Sequence, residues 1–366
     1  MNIVTLILFL VGLAFLVAGA DALVRGAARL ASALGISPLV IGLTVVAFGT
    51  SSPELAVSVL AGLSGQTDIS LGNVVGSNIF NVLFILGLSA AIKPLFVTQQ
   101  LVRLDVPIMI GASVLTLLLG LDGMISRLDG TLLLAGIFAY TVFLIRQSRK
   151  DITAPRNDQN SSTPKSESVR SWLFSSALVL GGLALLAVGS RWLVNGAIAI
   201  AQAIGVSKLI VGITIVAAGT SLPEVATSVT ASIRGERDIA IGNAVGSNIF
   251  NILVVLGLSS LVVPNGIKVS TAVMRFDIPV MIAVSVACLP IFFTDNMIAR
   301  WEGILFLGYY IAYTLYLILA STHHRTLPLF STAMVLFVIP ITLLTLTVVT
   351  WRAIRAKHKS ASGSTS

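Results

Sequence analysis

Gly49-Thr50-Ser51-Ser52-Pro53-Glu54 returns 170 residues later as Gly219-Thr220-Ser221-Leu222-Pro223-Glu224. The run from Gly72 to Asn81, G-N-V-V-G-S-N-I-F-N, returns at the same offset from Gly242 to Asn251 with one substitution. Arg103-Leu104-Asp105 is matched by Arg275-Phe276-Asp277, and Met124-Ile125-Ser126-Arg127 by Met297-Ile298-Ala299-Arg300. The chain is therefore built twice over, and each copy carries five long apolar runs. Five is odd, so the second copy enters a membrane from the opposite face. The halves are then related by a pseudo-two-fold axis in the membrane plane.

The membrane itself is read from composition. Hydrophobic residues make up 56% of the 366 residues and charged residues only 10%, against about a quarter charged in soluble domains. The apolar runs are roughly twenty residues each, long enough to cross about 30 Å of hydrocarbon as helices. Lipid offers the backbone no partners, so such runs satisfy their own amides. The spacing predicts eleven spans, near 3–24, 37–63, 70–91, 104–121, 125–145, 172–194, 207–232, 240–263, 274–294, 298–319 and 328–350. The expected fold is an all-α polytopic membrane protein: two inverted five-helix repeats plus one extra C-terminal transmembrane helix. Residues 1–145 form the first repeat and 171–320 the second. A polar cytoplasmic linker, 146–170, joins them, with Ser161, Ser162 and Pro164 marking it as solvated. Residues 321–366 hold the additional helix and a basic tail.

Cys288 is the only cysteine, which excludes an intrachain disulfide and a thiolate cluster. The net charge of +8 does not mark a nucleic-acid binder, because the basic residues lie at span ends or in the linker and tail. Placing the N-terminus outside puts seventeen of the 23 lysines and arginines on the cytoplasmic side, as the positive-inside bias requires. The C-terminus is then cytoplasmic, in a multi-pass protein of the cell membrane. No basic n-region precedes the first apolar run, which is expected to be retained as a span. The lipid bilayer is the only partner the sequence calls for, and no obligatory protein partner is evident.

Glu54 and Glu224 each fall inside an apolar span, where an ionisable group is costly unless paired or lining a polar cavity. No Lys or Arg lies close in sequence, and the inversion brings both acids toward the midplane. The alternative is a structural carboxylate neutralised by an arginine or a proton. Pro53 and Pro223 precede the acids and remove the donors for the carbonyls of Gly49 and Gly219. The broken turns are expected to release backbone oxygens, including those of Ala47, Thr50, Ala217 and Thr220. Thr50 and Ser51 share the helical face of Glu54, as Thr220 and Ser221 share that of Glu224. In the following span Asn73, Ser77 and Asn81 recur every four residues, mirrored by Asn243, Ser247 and Asn251. Asn73, Asn78 and their mates are read as glue between helices, and Gly72 with Gly76 and Gly242 with Gly246 as close crossings. Ser77, Asn81, Ser247 and Asn251 are better placed to offer oxygens.

The donor set is all oxygen: two carboxylates, two amides, hydroxyls and carbonyls, as hard Ca²⁺ and Na⁺ prefer. The spans hold no thiolate or imidazole set for softer metals, since His323, His324 and His358 fall in a loop and the tail. Two carboxylates in a low-dielectric site repel one another, so an empty site is costly to occlude and cargo must be swapped. Asp68 and Asp238 read as helix caps. Arg103 with Asp105, Arg275 with Asp277, and Asp21 with Arg25 read as ion pairs.

The paired GTSxPE and GNxVGSNIFN segments resemble the α-repeats of the calcium/cation antiporter superfamily, in its prokaryotic sodium/calcium exchanger family. The resemblance covers residues 1 to about 320. It implies ten core helices in two inverted halves and antiport of Na⁺ against Ca²⁺ at their interface. It further implies Glu54 and Glu224 as shared carboxylate ligands, with Thr50, Ser51, Thr220 and Ser221 around them. The carbonyls of Ala47 and Ala217 join these, and Ser77, Asn81, Ser247 and Asn251 complete the cluster. The transported ions are substrates and no cofactor is implied. The first and sixth spans would slide across the core to alternate access. Asn251 departs from relatives that carry an aspartate there, and the eleventh span departs from the ten-helix pattern. The short linker leaves no room for a large calcium-sensing insert. A proton/calcium exchanger of the same superfamily and a passive cation channel are the competing readings. An enzyme is disfavoured by the lack of a Ser-His or HExxH arrangement.

Overall fold

Long apolar runs that carry their own hydrogen bonds become helices in the computed structural model, which describes residues 3–153, 169–203, 217–293, 296–322, 324–344 and 347. Among the described residues, eight helices are long and apolar enough to cross a bilayer, or nine if the bent pair Pro38–Thr50 and Ser52–Leu63 is one span. The first span is Ile3–Leu34 and the bent pair is the second. Thr67–Ile92, Leu101–Leu119 and the helix Arg127–Thr153 are the third to fifth. Val169–Ala203 is the sixth, Leu222–Arg234 the described body of the seventh, and Arg237–Val262 the eighth. Val273–Asp277 continued by Ile278–Phe293 is the ninth, with Arg300–Ser321 and Leu327–Leu344 as the tenth and eleventh. Positions 207–216 of the seventh span, linker residues 154–168, His323 and the tail with His358 lie outside the described residues.

Two expected boundaries move. The first span continues to Leu34 and the sixth to Ala203, so Arg25, Arg29 and Arg191 sit within helices rather than at their ends. The cause is tertiary. These two helices form one antiparallel pair along their length, with Gly12 opposite Gly189 and Gly19 opposite Gly182. A Cβ built at Gly19 would stand 2.8 Å from the carbonyl oxygen of Gly182, and one at Gly12 2.8 Å from that of Gly189. Only glycine permits that approach, and dispersion and shape rather than the hydrophobic effect hold helices together in lipid.

The third and eighth spans form the centre of the bundle. Val74, Val75 and Ile79 of one, and Ala244, Val245 and Ile249 of the other, are fully buried, whereas the eleventh span buries nothing within its apolar window. Gly242 and Gly246 do mark a close crossing: a Cβ at Gly246 would lie 2.7 Å from the Leu43 carbonyl oxygen. At Gly72 and Gly76, by contrast, a Cβ would meet nothing within 4 Å among the described residues.

Two short antiparallel ribbons join loops of the two halves. β1 (Leu95–Phe96), between the third and fourth spans, pairs with β4 (Met297–Ile298), between the ninth and tenth. β2 (Met124–Ile125), between the fourth and fifth, pairs with β3 (Ile267–Lys268), between the eighth and ninth. Each ribbon thus joins a loop of one half to the non-equivalent loop of the other.

Several polar side chains depart from their expected roles. Asp68 and Asp238 are not caps: Gln66 and Glu236 hold the cap positions, and the aspartates stand in the first turn, where they complement the helix dipole. Asp105 receives the Tyr140 hydroxyl at 2.9 Å and the Gln100 amide at 3.4 Å, and Asp277 receives the Tyr313 hydroxyl at 2.8 Å. Neither has an arginine partner among the described residues, because burial favours a neutral donor from the neighbouring helix over an exposed guanidinium. Asp21 does pair with Arg25, and also with Arg234 at the end of the seventh span.

Candidate cation site

Pro53 and Pro223 shape the two halves of the site in the same way. Proline occupies the first turn of Ser52–Leu63 and of Leu222–Arg234, where its missing donor costs least. Ser51 and Ser221 just before leave the helical region, with φ −84°, ψ 7° and φ −87°, ψ 10°. The second span bends by 44° at this break. Each glutamate therefore lies in the first turn of a fresh helical piece, whose positive end favours a carboxylate.

Glu54 and Glu224 are both fully buried, and each is held by the other half. The Ser221 hydroxyl donates to Glu54 Oε1 at 2.7 Å, and the Ser51 hydroxyl donates to Glu224 Oε1 at 2.8 Å. Ser221 also stands 3.3 Å from the Ser77 hydroxyl. Thr50 lies 3.0 Å from Asn243 Oδ1 and Thr220 lies 3.5 Å from Asn73 Oδ1. Ser51, Thr50, Ser221, Thr220 and both acids thus come together, along with Ser77. Neither acid has a cationic partner among the described residues.

Asn81 and Asn251 are brought together by the crossing of the third and eighth spans. Each opens a widened π-helical turn, Asn81–Leu86 and Asn251–Leu256, a feature often found at functional positions. Asn81 donates its amide to Asn248 Oδ1 at 3.0 Å and Asn251 donates to Asn78 Oδ1 at 3.2 Å. Their donors are spent on each other's span, and their oxygens are left over. Indeed Glu54 Oε2, Glu224 Oε2, Asn81 Oδ1, Asn251 Oδ1 and Ser247 Oγ are all buried without a hydrogen-bond partner. A buried polar atom so left costs about 1–3 kcal/mol, more if charged; Ser70, Ser89, Thr227 and Ser259 leave hydroxyl oxygens in the same state among the described residues, and the five above are distinguished by including both carboxylates. All five are oxygen, the donor chemistry of hard cations.

The freed carbonyls are more occupied than the prolines alone implied. The Gly219 oxygen accepts the Ser190 hydroxyl of the sixth span at 2.8 Å. The Ala47 oxygen still accepts the Ser51 amide at 3.0 Å, keeping one lone pair free. Ala217 opens the short helical piece Ala217–Gly219 that leads into the break of the seventh span.

A cavity of about 1430 Å³ reaches this region between the second and sixth spans, lined by Phe48, Ser52, Pro53, Leu183, Arg191 and Thr220 among others. On the opposite side the first span lies directly on Leu222–Arg234, tied by Asp21 and Arg234. Sequence reading missed two elements of this arrangement. The seven-residue spacing of Gly12, Gly19 and Gly26, repeated by Gly182, Gly189 and Gly196, was a usable signal for the helix pair. Asn73 and Asn243, each nineteen residues after a glutamate, do more than join neighbouring helices.

A membrane bundle in which inverted, broken helices present paired buried carboxylates belongs among the secondary cation transporters. The chain is a member of the sodium/calcium exchanger protein family, whose model matches residues 4–146 and 174–319. It is 39% identical over 325 residues to the putative antiporter CaxA of Alkalimonas amylolytica, covering 87% of this chain and all of that one. It is 35% identical over 344 residues to the sodium/calcium exchanger MaX1 of Methanosarcina acetivorans, covering 85% and 97%. Among solved structures it resembles the sodium-calcium exchanger NCX_Mj, with a TM-score of 0.73 and 34% identity over 85% of this chain and 98% of that one. The protein is a multi-pass cation/Ca²⁺ antiporter, not an enzyme.

Proposed function

We propose that this antiporter exchanges Na⁺ for Ca²⁺ at the oxygen cluster between the second, third, seventh and eighth spans. The observation that carries the reading is the set of five buried, unpartnered oxygens headed by Glu54 and Glu224. Two carboxylates with no cationic side chain near them are matched by one divalent ion or by several monovalent ions. Thr50, Ser51, Thr220, Ser221, Ser77, Asn81, Ser247 and Asn251 supply neutral oxygens, with the carbonyls of Ala47 and Ala217. Occupancy satisfies the cluster, and only a satisfied cluster is cheap to close off from water, which makes exchange obligatory.

The same reading places the N-terminus outside and the C-terminus in the cytoplasm of the cell membrane. It takes residues 1–145 and 171–320 as the two halves, 146–170 as the linker, and 321–366 as an accessory helix and tail. Sodium coupling is supported by the hard-oxygen set and by the named activity of MaX1 and NCX_Mj.

The test is uptake of radioactive calcium into sodium-loaded proteoliposomes, with and without external sodium. Uptake should follow the outward sodium gradient and stop in Glu54→Gln and Glu224→Gln. Uptake driven equally well by a proton gradient in the absence of sodium would replace Na⁺ by H⁺ as the counter-ion. Full activity in both variants would remove the site.

A further inference from the structure

A hydroxyl binds a cation only through its lone pairs, so its single proton must be handed to another acceptor. Ser51 and Ser221 hand theirs to the opposite half's glutamate. For the threonines beside them, the acceptors are asparagines outside the proposed ligand set. We propose that Asn243 and Asn73 are positioning residues for ion exchange: each takes the hydroxyl proton of the opposite half's threonine, Thr50 and Thr220, and so turns that threonine's lone pairs toward the cation. The proposal rests on the site reading above.

The polarity of Asn243 is set by what surrounds it. Its Nδ2 faces the backbone carbonyl of Glu224 at 3.3 Å and the Ser228 hydroxyl at 2.9 Å. A carbonyl can only accept, so the amide nitrogen must lie on that side and Oδ1 on the other. Ser228 in turn gives its own proton to the Ala240 carbonyl at 3.2 Å, which leaves its lone pairs for Asn243. Oδ1 then meets Thr50 Oγ1 at 3.0 Å. Every proton along this chain has one direction, ending with Thr50 as a donor to Asn243.

Thr50 has other acceptors near it, the carbonyls of Val46 at 3.1 Å and Ala47 at 3.4 Å and, less directly, the Glu224 carboxylate. Bonding back to its own helix in this way is the usual habit of a helical threonine. Here it would occupy a carbonyl at the broken helix end, where the cation needs an acceptor. Donation to Asn243 leaves the second lone pair of the Ala47 carbonyl free and fixes the hydroxyl at once.

The second half repeats the chain residue for residue. Asn73 Nδ2 holds the Glu54 carbonyl at 3.2 Å and the Ser58 hydroxyl at 2.9 Å. Ser58 donates to the Ser70 carbonyl at 3.3 Å, and Asn73 Oδ1 faces Thr220 at 3.5 Å. Each asparagine therefore ties the acid-bearing turn of its own half to a threonine of the other. The two clasps are not equally tight. Asn243 and Thr50 are buried, whereas Asn73 and Thr220 are half-buried and Thr220 lines the large cavity. The slack clasp is the one beside the open space.

The test is a double-mutant cycle on calcium uptake in proteoliposomes, using Thr50→Val, Asn243→Leu and the pair together. Each single change should raise the half-saturating calcium concentration about tenfold, the effect of one lost contact to a charged partner, with a smaller change in maximal rate. The double variant should be no worse than Asn243→Leu alone, because without the asparagine the threonine's lone pairs are no longer turned toward the cation, while the bonds to the Glu224 carbonyl and Ser228 are already lost in the single variant. Effects that multiply in the double variant overturn the proposal while leaving the site in place. An unchanged calcium dependence in Thr50→Val overturns the site reading itself. Should Asn243→Leu fail to fold, the same cycle at Asn73 and Thr220, on the half-buried side, decides the question by the same outcomes.

Discussion

The hydroxyl of Ser51 donates to Glu224 Oε1 at 2.8 Å across 173 residues of sequence. Ser221 makes the corresponding bond to Glu54 across 167 residues. Each acid takes its serine hydrogen bond from the other half. Each carboxylate keeps one oxygen fixed by a foreign serine and leaves the other, Oε2, without a partner. The two halves thus restrain one another's acid-bearing helices, and among the described residues neither acid has a cationic partner.

Removing one of these serines should be felt in affinity. Ser51→Ala deletes a hydrogen bond to a charged group, worth about 1.5–3 kcal/mol. We expect half-saturating calcium to rise by roughly one to two orders of magnitude in an uptake titration.

The glycine contacts between the first and sixth spans should be intolerant of any side chain. A Cβ at Gly19 would meet the Gly182 oxygen at 2.8 Å and the Leu186 nitrogen at 2.9 Å, both backbone atoms. Gly19→Leu should lower the melting temperature in detergent by the equivalent of about 1–3 kcal/mol or more, as overpacking does. Gly308, whose Cβ would meet nothing within 4 Å, is the control. Gly308→Ala should be neutral or stabilising by up to ~1 kcal/mol through helix propensity.

Asp21 joins the first span to the end of the seventh through Arg234 while also pairing with Arg25. These side chains are partly solvated, so Asp21→Asn should cost no more than about 1 kcal/mol. The loss should shrink as salt is raised, because salt screens the wild-type pair. A thermal-shift series at low and high ionic strength checks both statements. A large, salt-independent loss would mean that Asp21 acts through packing.

The eleventh span touches the body of the protein lightly. Its polar ties run from the Tyr309 hydroxyl to Thr342 at 2.7 Å and to the Val338 carbonyl at 3.4 Å. Every candidate site residue precedes it. A chain ended at Thr322 should therefore insert and take up calcium at an undiminished initial rate. Loss of uptake with normal membrane insertion would give this helix a part in transport.

Much of the site was legible before folding because its signals are local. Pro53 and Pro223 announce a broken helix wherever they are placed, and a glutamate in an apolar run is conspicuous in any membrane protein. Asn73 and Asn243 were legible only as polar residues on a helical face. Their role depends on which atom of the amide points at which half, and no spacing encodes that. Asp105 shows the same limit. Its sequence neighbour Arg103 is the obvious partner, yet burial beside Tyr140 selects the tyrosine instead.

By itself the amino-acid sequence determined the membrane, its apolar helices, the duplicated motifs and the cation-antiporter family. Those properties follow from hydropathy and residue chemistry, which are additive along a chain. Tertiary structure alone decided that each serine serves the other half's acid, that glycines seven apart bring two long spans into backbone contact, and that Glu54 Oε2 and Glu224 Oε2 are left without a partner among the described residues. These depend on how two halves dock, and docking is set by shape and hydrogen-bond direction in three dimensions, which a linear pattern does not carry.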